Sequence, residues 1–184
     1  MKKYNIAVLV GSLRKESYNL KTAKELMAMA PETLSFELID ISNLPMFNED
    51  LEATPPKEWV AFKNKIKALD GLLFVTPEYN RSVPAVLKNA IDVGSRPYGD
   101  NSWNGKPAAI VSVSIGAISG FGANHHLRQS LTFINAHAMA QPEAYIGGAA
   151  ALFNDKGKLI DDSTKSFLKN YMEAFEKWVV TIAK

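Results

Sequence analysis

The chain has 184 residues, 47% apolar and 22% charged, ordinary globular proportions that exclude disordered and fibrous architectures. It has no cysteine, which excludes disulfides, thiolate zinc sites, iron–sulfur clusters and dithiol redox chemistry. A net charge of +2, from 21 basic and 19 acidic residues without any Lys/Arg block, is too weak for a nucleic-acid footprint.

Residues 6–10 (IAVLV) form a short, continuous, β-branched-rich run, the pattern of a strand buried on both faces. With Met1-Lys2-Lys3 ahead of it the run has the opening of a signal peptide, but it stops at Gly11-Ser12, and Arg14 and Lys15 follow. No stretch approaches the ~20 apolar residues of a membrane span. A soluble, cytoplasmic protein with no membrane partner is therefore expected. Leu20, Ala23, Leu26, Met27 and Ala30 have helical spacing, closed by Pro31. Leu34, Phe36 and Leu38 alternate with Ser35 and Glu37, which predicts a half-exposed strand. Pro55-Pro56 opens a helix with Trp59, Phe62, Ile66 and Leu69 on one stripe, and Thr54 is its expected N-cap.

Residues 72–76 (LLFVT) predict a second buried strand, 83–93 a helix, and 108–113 a third buried strand after the turn Gly105-Lys106-Pro107. Leu127, Leu131 and Ile134 mark another helix, and a weak strand is expected within 138–146. A last helix over 163–183 buries Leu168, Tyr171, Met172, Phe175, Trp178 and Val179, with Asp161 and Asp162 at its positive end. Strands alternating with helices imply βαβ units and right-handed crossovers. The expectation is an α/β, doubly wound, five-stranded parallel sheet of order 2-1-3-4-5 with helices on both faces, in a single domain over 1–184. In that order a ligand binds beyond the carboxyl ends of strands one, three and four.

Those three loops are chemically rich. After strand one, Gly11-Ser12-Leu13-Arg14-Lys15-Glu16-Ser17-Tyr18-Asn19 offers two hydroxyls, a guanidinium and an amide just before a helix, the donor set of a phosphate monoester site. It has neither the three glycines of a dinucleotide fingerprint nor the Gly-Lys of a P-loop. After strand three, Thr76-Pro77-Glu78-Tyr79-Asn80-Arg81-Ser82-Val83-Pro84 is stiffened by prolines and carries an aromatic face suited to a planar heteroaromatic ring. After strand four, Ser114-Ile115-Gly116-Ala117-Ile118-Ser119-Gly120 is small enough to let a ligand approach the backbone. The first two loops also have plainer readings, as a solvated turn that caps the helix and as a Pro-bounded connection with Tyr79 packed down. Ser112-Val113-Ser114-Ile115-Gly116 lacks the first glycine of a nucleophile elbow, and His125, His126 and His137 have no metal spacing, so no metal is expected and the histidines are assigned to surface or interface.

Two of these segments resemble the NADPH-dependent FMN reductase family. Residues 11–19 resemble its G-S-x-R-x-x-S-x-N phosphate loop, and residues 76–92 its P-E-Y-N-x-S-x-P-x-x-L-K-N-x-I-D signature. Gly116-Ala117-Ile118 and His126-Leu127-Arg128-Gln129 are similar to the branch containing chromate and quinone reductases and azoreductases. The resemblance implies a flavodoxin-like fold that binds FMN, with Ser12, Arg14, Ser17 and Asn19 on the phosphate. It places Pro77, Glu78, Tyr79 and Asn80 on the isoalloxazine largely through backbone groups, with Arg81 beside it and Ser114 and Gly116 on its other side. It further implies an NADPH or NADH oxidoreductase working by ping-pong hydride transfer through flavin N5. Quinones and azo, nitro or chromate compounds would be its small-molecule acceptors. No catalytic side chain is then required, because the flavin carries the chemistry.

Arg81 and Arg96 are candidates for contact with a 2′-phosphate, and each reads equally well as a solvated charge or an interface partner. Family members are homodimers or homotetramers. In the chromate and quinone reductase branch an arginine, a tyrosine and a glutamate meet at the tetramer interface; the first two positions are here Gly122 and His125, and Glu143 fits the third. Two related readings share these features: a reductase supplying reduced FMN to a monooxygenase, and a flavodoxin-type electron carrier. Carriers of that type are strongly acidic, which the +2 charge and Arg14 oppose.

Overall fold

In the computed structural model, which describes residues 2–183, the elements alternate as expected. They are β1 (Tyr4–Val10), α1 (Tyr18–Met29), β2 (Leu34–Leu38), α2 (Lys57–Lys67), β3 (Gly71–Thr76), α3 (Ala85–Ser95), β4 (Pro107–Val113), α4 (Phe121–Phe133), β5 (His137–Ala138), β6 (Ala144–Ile146), α5 (Ala149–Leu152) and α6 (Asp162–Ile182). The sheet runs β2-β1-β3-β4-β5, every pairing is parallel, and β6 also pairs with β4. The doubly wound order 2-1-3-4-5 is thus present.

Strand periodicity explains how one sheet serves two cores. Side chains alternate across a strand. On β1, Ile6, Val8 and Val10 face Leu26 of α1 and Leu168, Tyr171, Phe175 and Val179 of α6. Ala7 and Leu9 face the opposite layer with Trp59, Phe62 and Ile66 of α2, Leu87 and Ile91 of α3 and Leu127 and Leu131 of α4. All of β3 and β4 is buried, as their predominantly apolar runs require, whereas edge strand β2 leaves Ser35, Glu37 and Leu38 exposed. Among the described residues, no helix is long and apolar enough to cross a membrane.

Four expectations need correction. The strand within 138–146 is two short pieces, β5 against Pro107–Ala108 and β6 against Val111–Val113. Between them Ile110, paired with Phe74 of β3 on its other side, meets no strand, and the buried Tyr171 hydroxyl replaces one, accepting from Ile110 N–H at 2.9 Å and donating to its carbonyl at 2.8 Å. Thr54 does not cap α2, because Pro56 occupies the cap position and no side chain bonds there. The helix read over 83–93 begins at Ala85, since Pro84 disfavours helical backbone at Val83. Trp178 is only partly buried, its indole N–H donating to His137 O at 2.7 Å.

Candidate functional site

The loops after β1, β3 and β4 converge where the topology requires. Gly11 makes the closeness possible: a Cβ there would lie 2.9 Å from Thr76 Oγ1 and 3.2 Å from Pro77 Cδ. Together the loops enclose a cavity of about 170 Å³, lined by Ser12, Arg14, Ser17 and Asn19 from the first, Pro77, Glu78 and Tyr79 from the second, and Ser114 from the third. Tyr18, Val113 and Ile115 complete the wall. Asn80, Arg81 and Gly116 stand outside it. A Cβ on Gly116 would meet only Ser114 Oγ, at 3.6 Å, so close packing does not require glycine at this position.

Ser17 is the N-cap of α1, its hydroxyl accepting Leu20 N–H at 3.3 Å. Ser12 Oγ accepts Arg14 N–H at 3.4 Å. Each hydroxyl therefore keeps its own proton to donate to a ligand. Arg14 is exposed and has no ion pair among the described residues, and the first N–H groups of α1 have no acceptor within the helix. Asn19 is 5% exposed; its amide N–H reaches Val113 O at 3.4 Å while its Oδ1 has no partner. An orphaned buried carbonyl oxygen is costly unless a ligand satisfies it, and a hydroxyl of a polyol phosphate would do so. The donor set and this acceptor fit the phosphate and ribityl ends of FMN.

The β3 loop holds a tight turn. Tyr79 and Ser82 exchange both backbone hydrogen bonds, at 3.1 and 2.9 Å. The two residues between them, Asn80 (φ 49°) and Arg81 (φ 62°), both lie in the left-handed region, the signature of a type I′ turn. Asparagine tolerates that backbone, whereas arginine is strained there by roughly 1–2 kcal/mol.

Glu78 holds the turn in place. Its carboxylate accepts Ala123 N–H at 3.1 Å and the Gly122 N–H, at the start of α4, and takes Arg81 Nη1–H at 2.8 Å. Burial pushes its pKa up, but these donors outweigh burial and hold the carboxyl below its ordinary value. Gly122 leaves room for this contact, since a Cβ would lie 2.9 Å from Arg81 O and 3.0 Å from Glu78 Oε2. The Glu78 side chain is thus a bracket between two elements, and its backbone is what the cavity can use.

The third loop is folded back by Ser112 Oγ, which donates to Ser119 O at 2.8 Å, while Ser114 Oγ accepts Gly116 N–H at 3.1 Å. Ile115 is 68% exposed, and Leu13, Tyr79, Ile118 and Phe121 add further exposed apolar surface on these loops. Farther along α4, His125 Nε2 lies 3.0 Å from Tyr145 Oη, and Arg128 Nε is 3.7 Å from Glu143. Burial first, and then the bond to Glu143, push the Tyr145 phenol up to about 12. His126 contacts Ser82 Oγ at 3.0 Å.

Motif reading misses Tyr18, Val113 and Ile115 as wall residues. Their only signal in the sequence is position: the helix start, the last residue of β4 and the residue following it.

The chain matches the NADPH-dependent FMN reductase family over residues 4–151. It is 58% identical over 177 residues to a quinone reductase of Pseudomonas putida, covering 96% of this chain and 95% of that protein. It is 43% identical to a 2-hydroxy-1,4-benzoquinone reductase of Burkholderia sp, covering 95% of each. The solved structure of FerB, a flavoenzyme NAD(P)H:(acceptor) oxidoreductase from Paracoccus denitrificans, superposes with a TM-score of 0.92 at 41% identity, covering 98% of this chain and all of that one. With loops, topology and relatives in agreement, the chain belongs to the NADPH-dependent FMN reductase family.

Proposed function

We propose that this protein binds FMN in the cavity beneath the three loops and uses NAD(P)H to reduce quinones. One observation carries the reading: a single cavity joins a pole of hydroxyls and guanidinium to an apolar wall and rim. When bound, FMN supplies two-electron hydride chemistry between a nicotinamide and an acceptor. The chain does the rest. Ser12, Arg14, Ser17 and the α1 N-terminus bind the phosphate; Asn19 Oδ1 accepts from the ribityl chain; the backbone of residues 77–80 orients the ring. Tyr79 and Ile115 would exclude water at the rim and leave one face of the ring open, on which nicotinamide and acceptor would stack in turn. Because both need that one face, the order of events is ping-pong. The same open face suits azo, nitro and chromate acceptors.

The groove between α3 and α4, about 580 Å³, supports a homodimer or a homotetramer built from dimers. Ile91 and Ile134 line it beside Phe133, which is 84% exposed. Lys88 and Asp92, paired on α3, give it both charge signs, as a self-complementary two-fold contact needs. A second copy is the occupant. A cytoplasmic site of action follows from the supply of its nicotinamide cosubstrate.

The test is NADPH and NADH oxidation by purified, FMN-loaded protein with a benzoquinone as acceptor and no protein partner. Steady turnover with bound flavin retained through dialysis supports the reading. Turnover that requires free FMN would favour delivery of reduced flavin to another enzyme. Absence of turnover would favour an electron carrier.

A further inference from the structure

Two arginines are available to recognise the phosphate that distinguishes NADPH from NADH, and their surroundings differ sharply. Arg96 is consumed within the fold. Its Nε donates to Glu52 at 2.7 Å and its Nη2 to Glu49 at 2.9 Å, and the guanidinium lies 4.2 Å over the Tyr98 ring. Its side chain is only 18% exposed. Two carboxylates already neutralise it, so a phosphate arriving there meets net negative charge.

Arg81 is the opposite case. Its side chain is 71% exposed and a single nitrogen, Nη1, is committed, to Glu78 at 2.8 Å. The remaining guanidinium N–H groups have no acceptor among the described residues. It sits two residues beyond Tyr79, which lines the cavity, at the tip of a turn fixed to α4 from both ends. Glu78 binds the Ala123 N–H and Ser82 Oγ contacts His126 Nδ1. Its left-handed φ of 62° is strained for a residue with a long side chain, and glycine or asparagine would sit there more easily. Strain kept at a cavity rim marks a residue held for what its side chain does.

From this contrast we infer that Arg81 is the specificity-determining contact for the 2′-phosphate of NADPH. The inference rests on the functional reading above. The cavity thus lies between two phosphate poles on two loops: Ser12, Arg14 and Ser17 for the flavin, Arg81 for the cosubstrate. A guanidinium fork suits a phosphomonoester because it can donate two parallel N–H bonds, and an arginine is a common partner of the NADP 2′-phosphate.

The experiment uses Arg81→Asn, which removes the guanidinium while suiting the left-handed turn, and Arg81→Lys, which keeps the charge. Each FMN-loaded variant is assayed with NADPH and NADH against one benzoquinone. Calorimetry compares adenosine 2′,5′-bisphosphate with 5′-AMP as probes of the 2′-phosphate alone. Wild type is expected to favour NADPH. In Arg81→Asn the NADPH:NADH ratio of kcat/KM falls about tenfold, through the KM for NADPH, and the preference for the bisphosphate disappears; Arg81→Lys recovers part of both. A ratio unchanged in Arg81→Asn, or a wild type indifferent to the 2′-phosphate, overturns the assignment while leaving the flavoenzyme intact. Oxidation of neither cosubstrate by wild type overturns the functional reading itself, and the assignment with it.

Discussion

The Glu78 carboxylate accepts the backbone N–H of Ala123 at 3.1 Å, tying the loop after β3 to the first turn of a helix 45 residues farther along the chain. The negative group sits at the positive end of α4, where it satisfies N–H groups that the helix cannot satisfy itself.

Removing that bracket should loosen the turn and the flavin together. Glu78→Gln is expected to cost about 1–3 kcal/mol, the scale of a hydrogen-bonded charged group. Hydrogen exchange should quicken in residues 79–82 and 121–124. The folded pKa of Glu78 lies below the ordinary 4.5, so its contribution is complete above that value and is lost as pH falls through the folded pKa. Melting curves should show a constant gap between wild type and variant from neutral pH down to about 5, narrowing in more acidic solution.

Arg14→Ala should weaken FMN binding by about 1.5–3 kcal/mol, roughly ten- to hundredfold in Kd, because a charge-assisted bond is lost. Quenching of flavin fluorescence on titration of apoprotein reads this directly. A variant that holds FMN as tightly as wild type would remove Arg14 from the phosphate site.

Tyr171→Phe tests how the edge of the sheet is completed. It deletes one hydroxyl but strands two backbone groups of Ile110 in the interior. The expected cost is about 1–3 kcal/mol, read as a fall in Tm of about 2–4 °C per kcal/mol for a chain of this size.

Phe133→Glu should halve the solution mass measured by light scattering while leaving the helical circular dichroism unchanged, since the ring is exposed within one chain. An unchanged mass would exclude the α3–α4 groove as the contact between copies.

Much of this architecture is legible in the sequence because local pattern and tertiary role agree. The runs at β1, β3 and β4 are almost wholly apolar because helices cover both faces, whereas edge strand β2 alternates with polar residues. β5 and β6 read as one weak strand for a physical reason: two- and three-residue strands carry no period, and the hydrogen bonds in the gap between them come from a tyrosine on a distant helix. In the site, Ser12, Arg14, Ser17 and Asn19 can be read as a set because they serve one loop. The bracket made by Glu78, and the contrast between an Arg96 held by two carboxylates and a largely exposed Arg81, depend on partners 44 to 47 residues away that no local pattern reveals.

Titration of stripped apoprotein with FMN asks whether the three converging loops hold the flavin. Saturable one-to-one binding with quenched flavin fluorescence is expected, together with a yellow protein that keeps its colour through gel filtration. A protein that stays colourless and leaves FMN fluorescence unchanged at micromolar concentrations would contradict that assignment.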